Sequence, residues 1–234
     1  RYMPNSGFAE TRAFIANKLK QSTELEFNES HIIMCVGAGG GLNVVLKTII
    51  NPGDEVIVFS PYFMEYNAYV ENFNGVIRPI NTDEKFKIDF NILEKNITKK
   101  TKAVLINSPN NPTGVVYSRD EMLKLGNLLS IKSKEFGQKI TLISDEPYAK
   151  ITYDNVEVPS LFSFYDQSIL VTSYSKDLAL PGERIGYIAV SPKANHLKLL
   201  IPGIITALRT LGFVNAPAFM QRLLPLVDDA LVDL

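Results

Sequence analysis

Four polar or glycine-rich motifs each follow a run of apolar residues, and each could carry chemistry. Gly37-Ala38-Gly39-Gly40-Gly41 follows His31 to Val36, and Ser108-Pro109-Asn110-Asn111-Pro112-Thr113-Gly114 follows Ala103 to Asn107. Asp145-Glu146-Pro147-Tyr148 follows Ile140 to Ser144, and Ser173-Tyr174-Ser175-Lys176 follows Ser168 to Thr172, with Arg184 just ahead of another apolar run. The glycines put unhindered backbone N–H groups at the start of a helix, where the dipole and the unpaired donors favour a phosphate. The string departs from G-x-G-x-x-G at Leu42 and no GK[ST] follows, so by itself it reads first as a tight turn. Two prolines and a glycine hold Asn111 in a rigid loop, which is also what a purely structural turn looks like. Asp145 leaves an apolar strand at a depth where a charge needs a cationic partner, unless it caps a helix. Lys176, taken alone, is an ordinary surface lysine.

Positioning these motifs requires strands that end where the motifs begin. Apolar positions at helical spacing run from Phe8 to Leu19, and the pattern becomes strand-like over His31 to Val36. The spacing then predicts a helix over 41–50, a strand from Glu55 to Phe59, a helix over 62–73 and a strand from Gly75 to Ile80, with turn signals such as Asn51-Pro52-Gly53-Asp54 between them. Further strands are expected at Ala103 to Asn107, Ile140 to Ser144, Ser168 to Thr172 and Ile185 to Val190, with a helix over 119–136. Strands alternating with helices imply an α/β fold with a mainly parallel sheet covered by helices. Ligands in such sheets bind at the carboxyl ends of the strands, where the four motifs lie.

The 234 residues are 46% hydrophobic, enough for one large core, and no repeat or linker divides residues 1 to about 190. Beyond Pro192 the apolar segments are long and helical and lead toward a second domain. A net charge of -1 without a Lys or Arg block argues against nucleic acid or an anionic membrane as partner. There is no apolar stretch of the ~20 residues a membrane span needs and no secretory leader pattern, which leaves the cytoplasm as the expected compartment. The single cysteine, Cys35, lies in an apolar run and reads as a buried structural thiol, and the N-x-[ST] patterns at Asn28 and Asn96 read as chance matches. No metal site is expected. Arg1-Tyr2-Met3-Pro4 opens without an initiator Met and Leu223 to Leu234 stops within a helical pattern, so the chain reads as a fragment.

With the motifs assembled, the sequence resembles the fold-type-I pyridoxal-phosphate (PLP) aminotransferases of class I and II. The resemblance runs from Tyr2 onwards and rests on five motifs in order: the glycine run, Asn51-Pro52-Gly53-Asp54 with Ser60-Pro61-Tyr62, Asn111-Pro112-Thr113-Gly114, Asp145-Glu146-Pro147-Tyr148, and Ser173-x-x-Lys176 with Arg184. It implies a fold like the large domain of aspartate aminotransferase over residues 1–234, with 192–234 leading toward a small domain that the chain lacks. It also implies that the Lys176 amine forms the internal aldimine with PLP and shuttles the α-proton. A lysine amine is a nucleophile toward aldehydes, and a desolvated, cation-rich pocket lowers its pKa. Asp145 would pair with the pyridine nitrogen and keep it protonated, while Tyr148 and Asn111 would bond the ring's phenolic oxygen. Ala38 and Gly39 N–H groups, the Ser173 hydroxyl and Arg184 would hold the phosphate, with Ser175 a lesser candidate. Phe63 aligns with the aromatic that covers the ring, and Tyr2 with a tyrosine that reaches the neighbouring subunit's phosphate, which implies a homodimer.

The activity so implied is transfer of an amino group between an amino acid and a 2-oxo acid. Family members normally add an N-terminal segment and a small domain whose arginine grips the substrate carboxylate, so this chain alone is expected to lose most of the positioning transamination needs. The same motifs serve C-S lyases, and a non-catalytic effector domain of certain transcription regulators shares the fold, although no DNA-binding segment is visible. Arg209 lies near a substrate-contacting arginine of some members without matching its spacing.

Overall fold

A computed structural model describes residues 3–213 and 221–226. The strands are β1 (Ile32–Val36), β2 (Glu55–Ser60), β3 (Val76–Asn81), β4 (Thr101–Asn107), β5 (Thr141–Asp145), β6 (Ser168–Ser173) and β7 (Ile185–Val190). The helices are α1 (Ala9–Thr23), α2 (Gly37–Ile49), α3 (Glu65–Glu71), α4 (Phe90–Asn96), α5 (Arg119–Phe136) and α6 (Leu197–Thr210). Among the described residues the strands form one seven-stranded sheet in the order β1-β7-β6-β5-β4-β2-β3, in which β7 runs antiparallel to both neighbours and every other pair is parallel. The mainly parallel α/β sheet expected from the alternation of strands and helices is present.

Away from the exposed edge strand β3, both faces of the sheet are buried, because strand residues alternate and each face meets helices. In β4, Val104 and Ile106 pack with the α1 and α5 side chains Ile15, Leu125 and Leu129, while Ala103 and Leu105 face Leu42, Val45 and Leu46 of α2 and Ile204 of α6. The same alternation separates Asp145 from Glu146. Asp145 shares the face of Ile143, toward α2 and α3, and Glu146 turns to the opposite face, where it accepts from Ser144 Oγ at 2.6 Å.

Local signals explain most of the boundaries. α5 opens on a reciprocal capping box between Ser118 and Glu121 and stops at Gly137, whose φ of 65° lies in the left-handed region. The helix expected over 62–73 is shorter, α3 at Glu65–Glu71, and α1 runs on past Leu19 to Thr23; two further features also differ from expectation. The glycine run is the first turn of α2 rather than a loop ahead of it, because Gly37 at φ 67° turns the chain directly from β1 into the helix. Gly41 then fits where a Cβ would lie 2.7 Å from Val171 Cγ1 and 2.9 Å from Cys35 Sγ. α4 was not expected at all; it is short and is started by Asp89, whose carboxylate accepts from the N–H groups of Asn91 and Ile92. Cys35 is buried and free, as read, and burial pushes its thiol pKa up. Among the described residues no helix is long and apolar enough to cross a membrane.

Candidate active site

The carboxyl ends of β1, β4, β5 and β6 bring the chemically competent side chains together through a continuous series of contacts. Asp145, the last residue of β5, is 6% exposed, and its Oδ2 accepts from Tyr66 Oη at 2.7 Å. Its Oδ1 is buried with no hydrogen-bond partner among the described residues. Burial pushes the Asp145 carboxyl up to about 6, against the opposing pull of the Tyr66 bond. A buried acceptor left empty is costly, so this oxygen calls for a donor from outside the described chain.

Asn107, last in β4, donates from Nδ2 to the Asp145 carbonyl at 2.8 Å and accepts the Asn111 N–H on Oδ1 at 2.6 Å. Asn111 in turn bonds the Tyr148 hydroxyl. Burial and the charge of Asp145 raise the tyrosine's pKa, and the bond from Asn111 opposes them. Lys176 Nζ lies 5.8 Å from the centroid of the Tyr148 ring. A cavity of about 620 Å³ opens beside Asn111 and Tyr148, lined also by Pro112, Ile151 and Tyr153.

At the other end of the site, the Arg184 guanidinium sits over the first turn of α2. A Cβ at Gly37 would lie 2.8 Å from Arg184 Nη2, and one at Gly39 would lie 2.8 Å from Tyr69 Oη. Arg184, at φ 52°, is steadied by Nη1 donating to the Pro181 carbonyl at 3.2 Å. A guanidinium and a helix N-terminus carry the same sign, so their convergence favours a bound anion. Ala38 and Gly39 are half-buried in that turn, and Ser173, buried at the end of β6, pairs in register with Gly186. Gly186 allows the close approach: a Cβ there would meet Thr172 O at 2.5 Å and the Gly37 carbonyl carbon at 2.9 Å. Between the two ends, Phe63 packs edge-on to Tyr66 with ring centroids 5.6 Å apart.

Ala38, Gly39, Phe63, Asn111, Asp145, Tyr148, Ser173 and Lys176 lie at or beyond the carboxyl ends of β1, β2, β4, β5 and β6, and Arg184 lies just ahead of the antiparallel β7. Tyr2 lies outside the described residues. Lys176 is exposed, three residues beyond the end of β6. Sequence reasoning missed Tyr66, Tyr69 and Asn107. Tyr66 falls in an apolar helical pattern and reads as core, whereas Asn107, a polar residue closing an apolar strand, carried a signal of the kind that singled out Asp145.

The arrangement suits a flat heterocycle with an anionic group at one end and a ring N–H at the other. Residues 1–225 match the family described as aminotransferase class I and II. The chain is 38% identical over 220 residues to a probable aspartate aminotransferase of Methanocaldococcus jannaschii, a match covering 94% of this chain and 56% of that protein. It is 36% identical to the aspartate aminotransferase of Bacillus subtilis, covering 82% and 49%. Among solved structures, an amino transferase from Eubacterium rectale superposes with a TM-score of 0.94 at 40% identity over 96% of this chain and 57% of that one. The Thermus thermophilus aspartate aminotransferase with maleate gives a TM-score of 0.85 at 29% identity over 98% and 58%. The chain spans about half the length of the curated relatives it matches.

Proposed function

The chain belongs to the class I and II aminotransferase family, and from that premise we propose that it is the large, cofactor-binding domain of an enzyme that moves an amino group between an amino acid and a 2-oxo acid with pyridoxal phosphate. The observation that carries the reading is the pairing of an unsatisfied buried acceptor, Asp145 Oδ1, with an anion cradle at Gly37, Gly39 and Arg184 across the same site. A cofactor with a ring N–H and a phosphate fits both ends.

When bound, pyridoxal phosphate supplies a ring that can take up the electron pair left as an amino acid's α-carbon loses its proton. The chain's residues set the conditions for that chemistry. Lys176 Nζ would hold the cofactor and, as a free amine, would accept the proton from the substrate's α-carbon. Asp145, as a carboxylate, would hold a proton on the ring nitrogen through Oδ1. Tyr148 and Asn111, hydrogen-bonded to each other, would hold the ring's phenolic oxygen, and Phe63, which packs on Tyr66, would cover the ring. Backbone N–H groups at Ala38 and Gly39, with Ser173 and Arg184, would hold the phosphate. The named relatives act as aminotransferases, which supports transamination over elimination or a regulatory role. The whole protein is read as a cytoplasmic homodimer.

The test is to incubate the full-length protein and pyridoxal phosphate with an amino acid and a 2-oxo acid acceptor. Formation of a new amino acid one for one with the donor's 2-oxo acid is the predicted result. Consumption of the donor without need of the acceptor would assign a lyase instead.

A further inference from the structure

Tyr66 is 1% exposed in α3, where a buried phenol must find an acceptor, and the acceptor it finds is Asp145 Oδ2 at 2.7 Å, across 79 residues of sequence. The ring has little freedom to turn. Tyr62 stacks parallel to it at 6.4 Å, Phe63 meets it edge-on at 83°, and Tyr69 lies against it at 6.4 Å. One directed bond to one oxygen of a carboxylate fixes the rotation of the group and leaves the second oxygen's lone pairs available. That second oxygen is the unpartnered one.

Resting on the reading of Asp145 as the ring-nitrogen partner, we propose that Tyr66 is a positioning residue for the cofactor: its hydroxyl holds Asp145 Oδ2 so that Oδ1 remains the acceptor for the ring N–H. Because the same phenol ring abuts Phe63, the nitrogen's partner and the ring's cover are registered to each other through one side chain. Burial and the neighbouring charge of Asp145 raise the Tyr66 pKa well above the ordinary range, so Tyr66 stays a donor. Its bond favours the ionised form of Asp145, which the buried site otherwise disfavours.

The experiment compares the affinity of the full-length protein for pyridoxal phosphate and for its 1-deaza counterpart, in which a C–H replaces the ring nitrogen. Tyr66→Phe should weaken pyridoxal phosphate binding about tenfold, the size of one charge-assisted hydrogen bond, and leave the deaza ligand's affinity unchanged. The effect should vanish in an Asp145→Ala background, and Tyr66→Gln, which restores a donor, should recover part of the loss. If the Phe variant does not fold, the Gln variant measured against Asp145→Ala carries the same comparison. Equal weakening of both ligands, or the same loss without Asp145, would assign Tyr66 a merely structural role and overturn the proposal. A parent protein that binds neither ligand would instead overturn the cofactor reading itself.

Discussion

Asn107 and Asp145 stand in register at the ends of β4 and β5, and the Asn107 side chain donates to the Asp145 carbonyl at 2.8 Å. The same amide receives the Asn111 N–H, so one buried side chain joins the strand that carries the acid to the loop that carries Asn111. Asn107→Ala leaves two buried polar groups unsatisfied and is predicted to cost about 1–3 kcal/mol in urea denaturation. It should also weaken pyridoxal phosphate binding, because Asn111 loses its anchor. Unchanged stability together with unchanged affinity would contradict this role.

The buried acids set a pH dependence whose sign is opposite to that of a salt-bridged carboxylate. Burial raises Asp145 from 3.8 to about 6 and Glu146 from 4.5 to about 7. The folded state therefore holds protons that the unfolded chain has released, so the stability these groups provide is complete at pH below their ordinary pKa values and is lost as the pH rises through 6 to 7. Without cofactor, the parent chain should lose about 2–3 kcal/mol relative to Asp145→Asn between about pH 4 and pH 8. Urea midpoints across that window check it, with Glu146 common to both proteins. A parent that gains on the variant as the pH rises would show that Asp145 is already paired with a cation.

Gly186 tests the anion cradle. A methyl group there would meet backbone on both sides, at Thr172 and Gly37, and neither can swing aside as a side chain would. Gly186→Ala is predicted to destabilise the fold by about 1–3 kcal/mol and to weaken binding of pyridoxal phosphate more than that of pyridoxal, which lacks the phosphate. Equal effects on the two ligands would separate Gly186 from the phosphate end of the site.

Ser118 provides the contrast. It caps α5, which packs on the sheet face opposite α2 and α3, accepting from the Glu121 N–H, and Ser118→Ala should cost about 1 kcal/mol of stability. Calorimetry should register that loss while cofactor affinity stays at the parent value.

Much of this was legible in the sequence because strand and helix signals are local. Apolar runs ending in polar motifs located β4, β5 and β6 to within two residues, and the helix expected over 119–136 matches α5. What was illegible depended on distance along the chain or on tight approach. Nothing near Tyr66 announces a bond to a residue 79 positions away, and its helical spacing with Val70 reads as core. Gly37 looked like a loop because the sequence does not say that a single left-handed residue suffices to enter α2. α4, seven residues started by one aspartate, was too short for periodicity to register.

The central claim is that Lys176 is the amine that tethers the cofactor. Pyridoxal phosphate is added to the full-length protein, the complex is reduced with borohydride, and the labelled peptide is identified by mass spectrometry, with Lys176→Ala in parallel. The account predicts a near-visible absorbance band abolished by reduction, a label on Lys176, and neither band nor label in the variant. A label on another lysine, or a band that survives Lys176→Ala, would contradict it.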